Sequence, residues 1–252
     1  PPLQGKITLV TGAAGGIGTA IVNSFAEAGA EVVAVDIDKN ALKQSSFVSK
    51  VQTRNIDVTD EQQVKLLIED LVYQFGGIDI LVSNAGMAFQ SSLLEMEMND
   101  LRKSFEINFF SHFSLAKLIG QLFVEQGNKG QMLFNISKQA VNPGRNFGAY
   151  GLPKSTLMFL VKQLALELGS YGIRVNGINA DRVRSGMLSE EFVKERAKAR
   201  GLTVDQYMSG NLLNKEVEAS HVAKALIDLS LSERTTGHVI SVDGGNIEAS
   251  LR

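Results

Sequence analysis

Short apolar runs alternate with amphipathic segments at the beginning of the chain. The runs KITLVTG (6–12) and EVVAVDI (31–37) are rich in β-branched residues, which is typical of strands buried in a parallel sheet. Between them, GTAIVNSFAEAG places apolar residues at helical spacing and stops at Gly29. This region therefore predicts one βαβ unit.

The alternation continues along the rest of the chain. Four further strands are predicted from apolar runs, at 78–84, 131–137, 172–179 and 238–244. Three helices are predicted as well: one that follows a capping box of Thr59 with Gln62 and runs to about Phe75, and two long ones over about 102–126 and 150–169. We therefore predict one α/β domain over 1–252, a Rossmann fold whose doubly wound parallel sheet has about seven strands.

One segment, 185–215, departs from the alternation. It follows a strand and carries two helical patterns separated by Gly201. Ser189 begins the first pattern, and a capping box of Thr203 with Gln206 begins the second. An insertion at the carboxyl end of a strand lies beside the ligand crevice of such a sheet. We favour a substrate lid over the alternative, an ordinary helical hairpin on the surface.

The composition excludes several classes of protein. A formal net charge of −2 gives no electrostatic reason to expect nucleic acid or an anionic membrane as a partner. The chain has no cysteine, its three histidines have no ligand spacing, and no apolar run is long enough to span a bilayer. We expect a cytoplasmic protein without a metal. Because the chain begins without Met, we expect one of three origins: a cleaved form, a disordered start, or the end of a longer polypeptide.

A glycine-rich stretch, TGAAGGIG (11–18), joins the first strand to the first helix. Gly12, Gly16 and Gly18 allow a tight turn, close approach to a pyrophosphate and packing of the helix on the strand. The helix N-terminus offers free N–H groups and a partial positive charge to phosphates. Because strand and helix flank the motif on the expected sides, we favour a dinucleotide site over a purely structural turn.

Asp36, at the end of the second strand, favours NAD over NADP as the cofactor. A carboxylate there can accept hydrogen bonds from both ribose hydroxyls of NAD, and it repels a 2′-phosphate. No Arg or Lys stands at 13–15 or 37, and Asp38 offsets the charge of the nearest cation, Lys39. We therefore predict NAD.

The stretch NFGAYGLPK places Tyr150 and Lys154 four residues apart, hence on one face of a helix. A cationic Lys about 5–6 Å away favours the phenolate, so we expect it to lower the pKa of the tyrosine from about 10. Pro153 is best tolerated within the first turn of a helix. We therefore predict that the helix begins close to Tyr150, with Gly148 and Ala149 at its entry.

The chain resembles the short-chain dehydrogenase/reductase family over essentially its whole length. The matching elements are TGAAGGIG at 11–18, DV at 57–58, NAG at 84–86, Asn108, Ser137 and YGLPK at 150–154. The resemblance implies that Asp57 and Val58 flank the adenine, and that Asn84 to Gly86 support the central part of the cofactor. The cofactor-binding set that we predict is Gly12, Gly15, Gly16, Ile17, Gly18, Asp36, Ile37, Asp57, Val58, Asn84, Ala85, Gly86, Tyr150 and Lys154.

The predicted catalytic set consists of Asn108, Ser137, Tyr150 and Lys154. Tyr150 takes the hydroxyl proton of an alcohol as hydride leaves the carbon for the nicotinamide, whose positive charge also favours the phenolate. Ser137, at the end of a strand, holds the substrate oxygen and stabilises its developing charge. The resemblance implies that Lys154 also binds the nicotinamide ribose, and that Asn108 binds a water that links Lys154 to solvent.

Three sites depart from the family pattern: Ser83 before NAG, the pair Ala180-Asp181 in place of the common Pro-Gly, and Pro153 in place of a small Ser. Together with stretches such as NADRVRSGM and ERTTGHVISVDGGN, they resemble the dehydrogenase half of bifunctional proteins of the rhamnulose-phosphate aldolase/alcohol dehydrogenase type. In those proteins a class II aldolase domain precedes the dehydrogenase. The resemblance implies a fused N-terminal aldolase domain, a role in carbohydrate metabolism, and a hydroxyaldehyde such as lactaldehyde, a sugar alcohol or a sugar phosphate as substrate.

Four basic residues come from segments that border the predicted substrate crevice: Lys138, Arg145, Arg182 and Arg184. Guanidinium groups bind phosphate or carboxylate with paired hydrogen bonds, so we predict that two or more of the four contact an anionic substrate or product. The alternatives are pairing with Asp181 or Glu190, and exposure to water.

Two other functions fit the same fold. One is a non-catalytic NAD-binding sensor or scaffold, which would have no need of the complete catalytic set. The other is an NADPH-linked oxoacyl reductase or another carbonyl reductase, which Asp36 disfavours. In the family, the two long helices usually form dimer interfaces, often within tetramers, so we expect a homodimer or homotetramer. The alternative is that both helices pack only onto the sheet.

Overall fold

Seven parallel strands form a single sheet in the computed structural model, which describes residues 1–48, 50–185 and 190–246. Their order is β3-β2-β1-β4-β5-β6-β7, with β1 Ile7–Thr11, β2 Glu31–Asp36, β3 Gln52–Asn55, β4 Ile80–Ser83, β5 Gln131–Asn135, β6 Arg174–Ala180 and β7 Val239–Val242. The arrangement confirms the predicted single-domain Rossmann fold with a doubly wound parallel sheet.

Helices cover both faces of this sheet. Those within the described residues are α1 Gly16–Glu27, α2 Lys39–Gln44, α3 Glu61–Phe75, α4 Met98–Phe105, α5 Ser111–Gln126, α6 Gly148–Leu168, α7 Glu190–Lys198, α8 Val204–Met208 and α9 Ala219–Leu231. A π-helical turn, Glu106–Phe110, joins α4 to α5. Successive strand residues point to opposite faces, so Leu9 packs with α3, α5 and α6, whereas Val10 packs with α1 and α9.

The strand order leaves a crevice at the carboxyl ends of β1 and β4. From β1 the chain builds outward through β2 to β3, and then crosses to β4 on the other side of β1. At such a switch, the loops that follow the two neighbouring strands diverge and leave room for a ligand. The glycine-rich loop follows β1 and the NAG motif follows β4, so both border this crevice.

The apolar pattern predicted the positions of six strands but not that of the third, β3. Its residues, QTRN, alternate between half-buried and exposed, and it pairs with β2 alone at the edge of the sheet. An edge strand needs less apolar surface than a central one, so the number of strands could be predicted but not the position of β3.

The structure corrects one predicted helix cap and confirms another. Asp60 caps α3, because its carboxylate accepts hydrogen bonds from two backbone N–H groups, at 3.0 and 3.1 Å. The predicted cap, Thr59, instead donates its hydroxyl to Asp57 at 2.7 Å, so that prediction is wrong. A carboxylate next to the first helical residue also suits the positive end of the helix dipole. The capping box of Thr203 with Gln206 is present at the start of α8.

Helix α6 begins at Gly148, two residues before Tyr150. This start confirms the prediction that the helix begins close to Tyr150, with Gly148 and Ala149 at its entry. Pro153 lies in the second turn, however, so the premise that it falls within the first turn is wrong. Proline lacks the N–H that would bond to the carbonyl of Ala149, four residues earlier. That carbonyl instead accepts a hydrogen bond from the hydroxyl of Ser104 in α4, at 2.7 Å. A tertiary hydrogen bond thus makes the internal proline tolerable.

The segment predicted as a lid contains α7 and α8, which pack against each other through a small apolar cluster. Its buried members are Val193, Ala197, Tyr207 and Met208. Residues 186–189, which include the predicted helix start at Ser189, lie outside the described residues. The two helices therefore form a compact pair that follows β6.

Candidate active site

The turn from β1 into α1 requires glycine at two positions, one in the loop and one in the first turn of the helix. Gly12 has a φ of +62°, and a Cβ on it would lie 2.7 Å from the Cα of Ala85. A Cβ on Gly18 would lie 2.0 Å from the carbonyl oxygen of Gly12. The loop backbone therefore packs against the NAG segment and the first turn of α1 more closely than a side chain would allow.

The N-terminus of α1 is open to an anion. Its cap residue, Gly15, has no side chain to accept hydrogen bonds from the first N–H groups, and the first turn contains no carboxylate. Free N–H groups and the helix dipole both favour a phosphate at this position. A cavity of about 380 Å³, which we call the Gly-loop cavity, lies against this helix end.

The Gly-loop cavity brings together twelve of the fourteen residues predicted to bind the cofactor. These are Gly12, Gly15, Gly16, Ile17, Gly18, Asp36, Ile37, Asp57, Val58, Asn84, Ala85 and Gly86. Sequence reasoning missed the other lining residues, which are Ile56, Thr59, Met87, Ile107, Asn135 and Ser185. Three of these, at positions 56, 59 and 87, directly flank matched motifs, which is the signal that could have identified them.

Asp36 stands at the edge of this cavity with its carboxylate already oriented. One oxygen accepts a hydrogen bond from the N–H of Ala14 and the other from the N–H of Asp38, both at 3.0 Å. The remaining lone pairs can accept hydrogen bonds from hydroxyl groups. Among the described residues that line the cavity there is no Lys or Arg, so a 2′-phosphate would meet this carboxylate without a neutralising cation.

Tyr150 and Lys154 lie one turn apart on α6 and line a second cavity of about 180 Å³, the Tyr150 cavity. Ser137 also lines it and forms a side-chain hydrogen bond with Tyr150. The Nζ of Lys154 lies 5.8 Å from the centroid of the Tyr150 ring. The two cavities share lining residues, so they form one continuous crevice; the shared residues are Ile17, Asn84, Gly86, Asn135 and Ser185.

Burial disfavours both a phenolate on Tyr150 and an ammonium on Lys154, the two charged forms that were expected from the sequence to stabilise each other. It raises the pKa of Tyr150 to about 12, although the hydrogen bond with Ser137 acts in the opposite direction. Burial also lowers the pKa of Lys154 to about 7, because the ammonium group loses its hydration. The expectation that Lys154 lowers the pKa of Tyr150 is therefore wrong for the protein groups alone. At neutral pH, Tyr150 holds its proton.

Asn108 lies in the π-helical turn, where its side chain is buried. Its Oδ1 accepts a hydrogen bond from the N–H of Met87 at 3.0 Å, and its Nδ2 donates to the carbonyl of Met87 at 2.9 Å. Nδ2 also donates to the hydroxyl of Ser104 at 3.0 Å. Asn108 thus fixes the segment that follows the NAG motif, and its role in a proton relay stays a prediction.

A chain of hydrogen bonds connects the glycine-rich loop to Lys154. The Nδ2 of Asn84 donates to the carbonyl of Gly12 at 3.1 Å, and its Oδ1 accepts from the Nδ2 of Asn135 at 2.8 Å. The carbonyl of Asn135 accepts from the Nζ of Lys154 at 3.1 Å. Sequence reasoning missed Asn135, although its position at the end of β5, two residues before Ser137, is a signal for it.

Two of the basic residues predicted to contact an anion, Lys138 and Arg182, line the Tyr150 cavity. Both are paired with Asp181, because the Nζ of Lys138 and the Nε of Arg182 each lie 3.1 Å from its carboxylate. Asp181 is buried and also accepts a hydrogen bond from the Nδ2 of Asn246 at 2.6 Å. The departure from Pro-Gly thus introduces a buried ionic network after β6.

The other two predicted residues, Arg145 and Arg184, are exposed and do not line the Tyr150 cavity. The Nε of Arg184 lies 2.6 Å from the carboxylate of Glu216. Two arginines that sequence reasoning missed, Arg196 and Arg200, line the cavity instead. Their separation by four residues, the spacing of one helical face, is the signal that could have identified them, although Arg200 lies in the turn just after α7.

A glycine-rich loop at the switch point of a doubly wound sheet defines the class of this molecule, a Rossmann-type dinucleotide-binding protein. Throughout 1–48, 50–185 and 190–246, no helix is long and apolar enough to cross a membrane. The same part of the chain contains no group of three or more His, Asp or Glu side chains that could hold a metal ion.

The chain belongs to the short-chain dehydrogenase/reductase family of oxidoreductases. A family model described as "Enoyl-(Acyl carrier protein) reductase" matches residues 12–246. The short-chain dehydrogenase reductase 3b of Arabidopsis thaliana is 34% identical over 250 residues, which cover 96% of each chain. The uncharacterized oxidoreductase YuxG of Bacillus subtilis is 32% identical over 255 residues, which are 95% of this chain but 37% of YuxG.

Two solved structures with bound cofactors share the fold. The 3-ketoacyl-(acyl-carrier-protein) reductase from Brucella melitensis, complexed with NADH, has a TM-score of 0.85 and 25% identity, and the match covers 96% of this chain and 98% of that one. ElxO with NADP bound has the same TM-score, identity and coverage. These relatives support a nicotinamide cofactor for this chain. One of them binds NADH, which lacks the 2′-phosphate, and the other binds NADP, which carries it.

Proposed function

We propose that the protein is an NAD-dependent oxidoreductase that interconverts a small alcohol and its carbonyl compound. The observation that carries the proposal is the single crevice in which Ser137, Tyr150 and Lys154 adjoin the Gly-loop cavity. The nicotinamide, when bound, supplies the hydride acceptor for oxidation or the hydride donor for reduction. The residues of the chain then have to hold the substrate oxygen and move one proton.

Tyr150 is the group that we assign to the proton. In reduction, the phenol gives its proton to the carbonyl oxygen as the carbon receives hydride; in oxidation, the phenolate takes the hydroxyl proton as hydride leaves. The raised pKa of Tyr150 keeps the phenol protonated at neutral pH, which suits reduction directly. Ser137 holds the same substrate oxygen, and Lys154 fixes the distance between α6 and the end of β5 through Asn135.

The carboxylate of Asp36 supports NAD rather than NADP as the cofactor. Its orientation by two backbone N–H groups, and the lack of Lys or Arg among the described residues of the Gly-loop cavity, both disfavour a 2′-phosphate. We expect kcat/KM to be at least about tenfold higher with NADH than with NADPH, because one uncompensated charge contact contributes roughly 1–2 kcal/mol. Asp36→Ala should remove most of this preference, and equal use of both cofactors by the wild type would contradict it.

The proposed substrates are small: a hydroxyaldehyde such as lactaldehyde, a sugar alcohol or a sugar phosphate. The size of the Tyr150 cavity, about 180 Å³, supports a small molecule over a long acyl chain. The resemblance to bifunctional proteins extends the proposal to a fused N-terminal aldolase domain, and the match to only 37% of YuxG supports it. Determining the mass of the natural gene product tests the fusion.

A substrate panel with Tyr150→Phe tests the activity itself. The panel contains lactaldehyde, glyceraldehyde, dihydroxyacetone and an acetoacetyl thioester, and turnover is followed by NADH absorbance. Tyr150→Phe should abolish turnover and spare NADH binding, measured by fluorescence, whereas Tyr73→Phe, at a fully surface-exposed position, should change neither. NADH binding without any turnover by the wild type would favour the sensor or scaffold. Activity confined to the thioester would favour the oxoacyl reductase, a function that the name of the Brucella relative supports.

A homodimer or homotetramer is part of the proposal. Large apolar side chains are exposed on the α5 and α6 side of the chain, among them Phe113, Phe159 and Leu166. Such side chains gain stability when a second copy covers them. Light scattering after size exclusion measures the assembly, and Phe159→Glu should shift it toward smaller species. A wild type that elutes as a monomer would contradict this part.

A further inference from the structure

We propose that Arg196 and Arg200 form a binding subsite for an anionic group of the substrate, a phosphate or a carboxylate. The inference rests on the proposed oxidoreductase function, because it assigns the end of the substrate that lies away from Tyr150. Both arginines line the Tyr150 cavity, and both come from the segment predicted as a lid.

The charges around the cavity favour an anion. The described lining residues include five basic side chains and one carboxylate, that of Asp181, which Lys138 and Arg182 share. Arg196 and Arg200 have no carboxylate within 4.0 Å in the part of the chain that the structure describes. An excess of positive charge in a recess with apolar walls concentrates anions there.

Arg196 is held in place with donor capacity to spare. Its guanidinium lies 5.2 Å from the ring centroid of Phe147 and 5.7 Å from that of Phe192. Stacking on aromatic faces leaves the edge of a guanidinium, where its N–H groups point, available for a carboxylate or phosphate. One Nη donates to the carbonyl of Arg145 at 3.3 Å, whereas the Nε is buried with no hydrogen-bond partner among the described residues. The other Nη N–H groups make no hydrogen bond to a described residue and can donate to a ligand oxygen.

Arg200 completes the subsite from the surface side. Its guanidinium lies 5.1 Å from the ring centroid of Tyr207, and Arg182 lies 5.3 Å from the same ring. The two arginines differ in their remaining side-chain bonds. Arg182 is occupied by Asp181 and by the carbonyls of Tyr207 and Gly210, whereas the guanidinium of Arg200 makes no hydrogen bond to a described residue. Arg182 therefore secures the segment predicted as a lid, and Arg200 remains available to a ligand.

The position of Arg196 relates the subsite to the chemistry. Phe147, on which Arg196 stacks, is the residue just before α6, three positions before Tyr150. The subsite and the phenol therefore lie at the same end of α6 and line one cavity of about 180 Å³. A short molecule with a hydroxyl or carbonyl group at one end and an anionic group at the other fits this arrangement. Lys138 and Arg182, which the sequence favoured as anion ligands, serve the network of Asp181 instead.

Isothermal titration calorimetry with three compounds on one carbon skeleton tests the proposal: glycerol, glycerate and glycerol 3-phosphate. Each is titrated into the wild type with and without NADH, and into Arg196→Gln, Arg200→Gln and Lys198→Gln. Lys198 lies on the same helix, is exposed and does not line the cavity, so its variant removes an equal charge without touching the subsite. Arg200 is exposed, so its replacement is less able to disturb the fold, and the Arg200→Gln variant controls for a loss caused by misfolding of Arg196→Gln.

We expect at least one of the two anions to bind about tenfold or more tightly than glycerol. Each arginine variant should bind that anion about tenfold more weakly than the wild type, because it lacks the charge-assisted hydrogen bonds of one guanidinium. Tighter binding of glycerol 3-phosphate identifies a phosphate ligand, and tighter binding of glycerate a carboxylate. Equal affinity for all three compounds, no binding of either anion, or an equal loss in Lys198→Gln would overturn the subsite. Failure of the wild type to bind NADH would instead contradict the proposed function. The titrations without NADH would still show whether the subsite binds an anion.

Discussion

The hydroxyl of Ser104 donates a hydrogen bond of 2.7 Å to the carbonyl of Ala149. Pro153 leaves this carbonyl without its helical partner, because proline has no N–H. The same hydroxyl accepts a hydrogen bond from the Nδ2 of Asn108 at 3.0 Å. One serine thus joins the π-helical turn to the first turn of α6, beside Tyr150.

Ser104→Ala is expected to lower the free energy of unfolding by about 1–3 kcal/mol, because it leaves the buried carbonyl of Ala149 without a donor. Urea unfolding followed by circular dichroism measures the loss. Ser114→Ala is the matched control, since Ser114 lies on α5 and its hydroxyl makes no hydrogen bond to a described residue. Its effect should stay within about 0.5 kcal/mol.

Pro153→Ser makes this test specific to the carbonyl. The serine restores an N–H four residues after Ala149, so the carbonyl has a helical donor again. In the Pro153→Ser background, Ser104→Ala should therefore cost about 1 kcal/mol less than in the wild type. Equal losses in the two backgrounds would contradict the role assigned to Ser104.

The raised pKa of Tyr150 predicts opposite pH dependences for the two reaction directions. Below a pKa of about 12, the fraction of phenolate increases about tenfold with each pH unit, whereas the phenol is fully present at neutral pH. With NAD⁺ saturating, kcat/KM for alcohol oxidation should therefore rise between pH 7 and 9, and kcat/KM for carbonyl reduction should not. NADH absorbance measures both. A flat or falling oxidation profile would speak against Tyr150 as the base.

Elements with a local signal in the sequence could be predicted. The β-branched runs of β1 and β4 indicate buried strands. Gly12 and Gly18, where a side chain would not fit, both belong to the short glycine-rich motif TGAAGGIG. The polar strand β3 has no such signal, and its position follows only from pairing with β2. The predicted cap of α3 was wrong because Thr59 and Asp60 are both good cap residues, and the sequence does not show which one is used.

Partners that lie far apart in the chain could not be predicted. Ser104 is 45 residues before the carbonyl that it supports, so the sequence could indicate only that Pro153 lies near the start of a helix, and not how that carbonyl is satisfied. Lys138 and Asp181 are 43 residues apart; the sequence offered this pairing only as an alternative to an anionic ligand, and could not show which of the two the lysine makes. The pKa of Tyr150 depends on how deeply the whole fold buries its side chain. The four-residue spacing between Tyr150 and its lysine carries no information about that burial.

Gly18→Ala is expected to disrupt the Gly-loop cavity. The new Cβ would lie 2.0 Å from the carbonyl oxygen of Gly12, so the loop or α1 has to shift, at a cost of about 3 kcal/mol. NADH binding, measured by fluorescence, should be lost. Gly169→Ala is the control, because Gly169 has a φ of −59° and nothing lies within 4 Å of its added Cβ. Retained NADH affinity in Gly18→Ala would show that this close approach is not needed.

Asp181→Asn is expected to lower the free energy of unfolding by about 3 kcal/mol. Lys138 and Arg182, whose side chains are only 19% and 15% exposed, then lose their buried carboxylate. The matched change Asp228→Asn removes a carboxylate that is 61% exposed and 3.5 Å from Lys224, where such pairs contribute about 0.2–1 kcal/mol. Urea unfolding compares the two variants. A loss for Asp181→Asn no larger than that for Asp228→Asn would show that both cations reach water once the carboxylate is gone. Asp181 would then not hold α7 and α8 in place through charge.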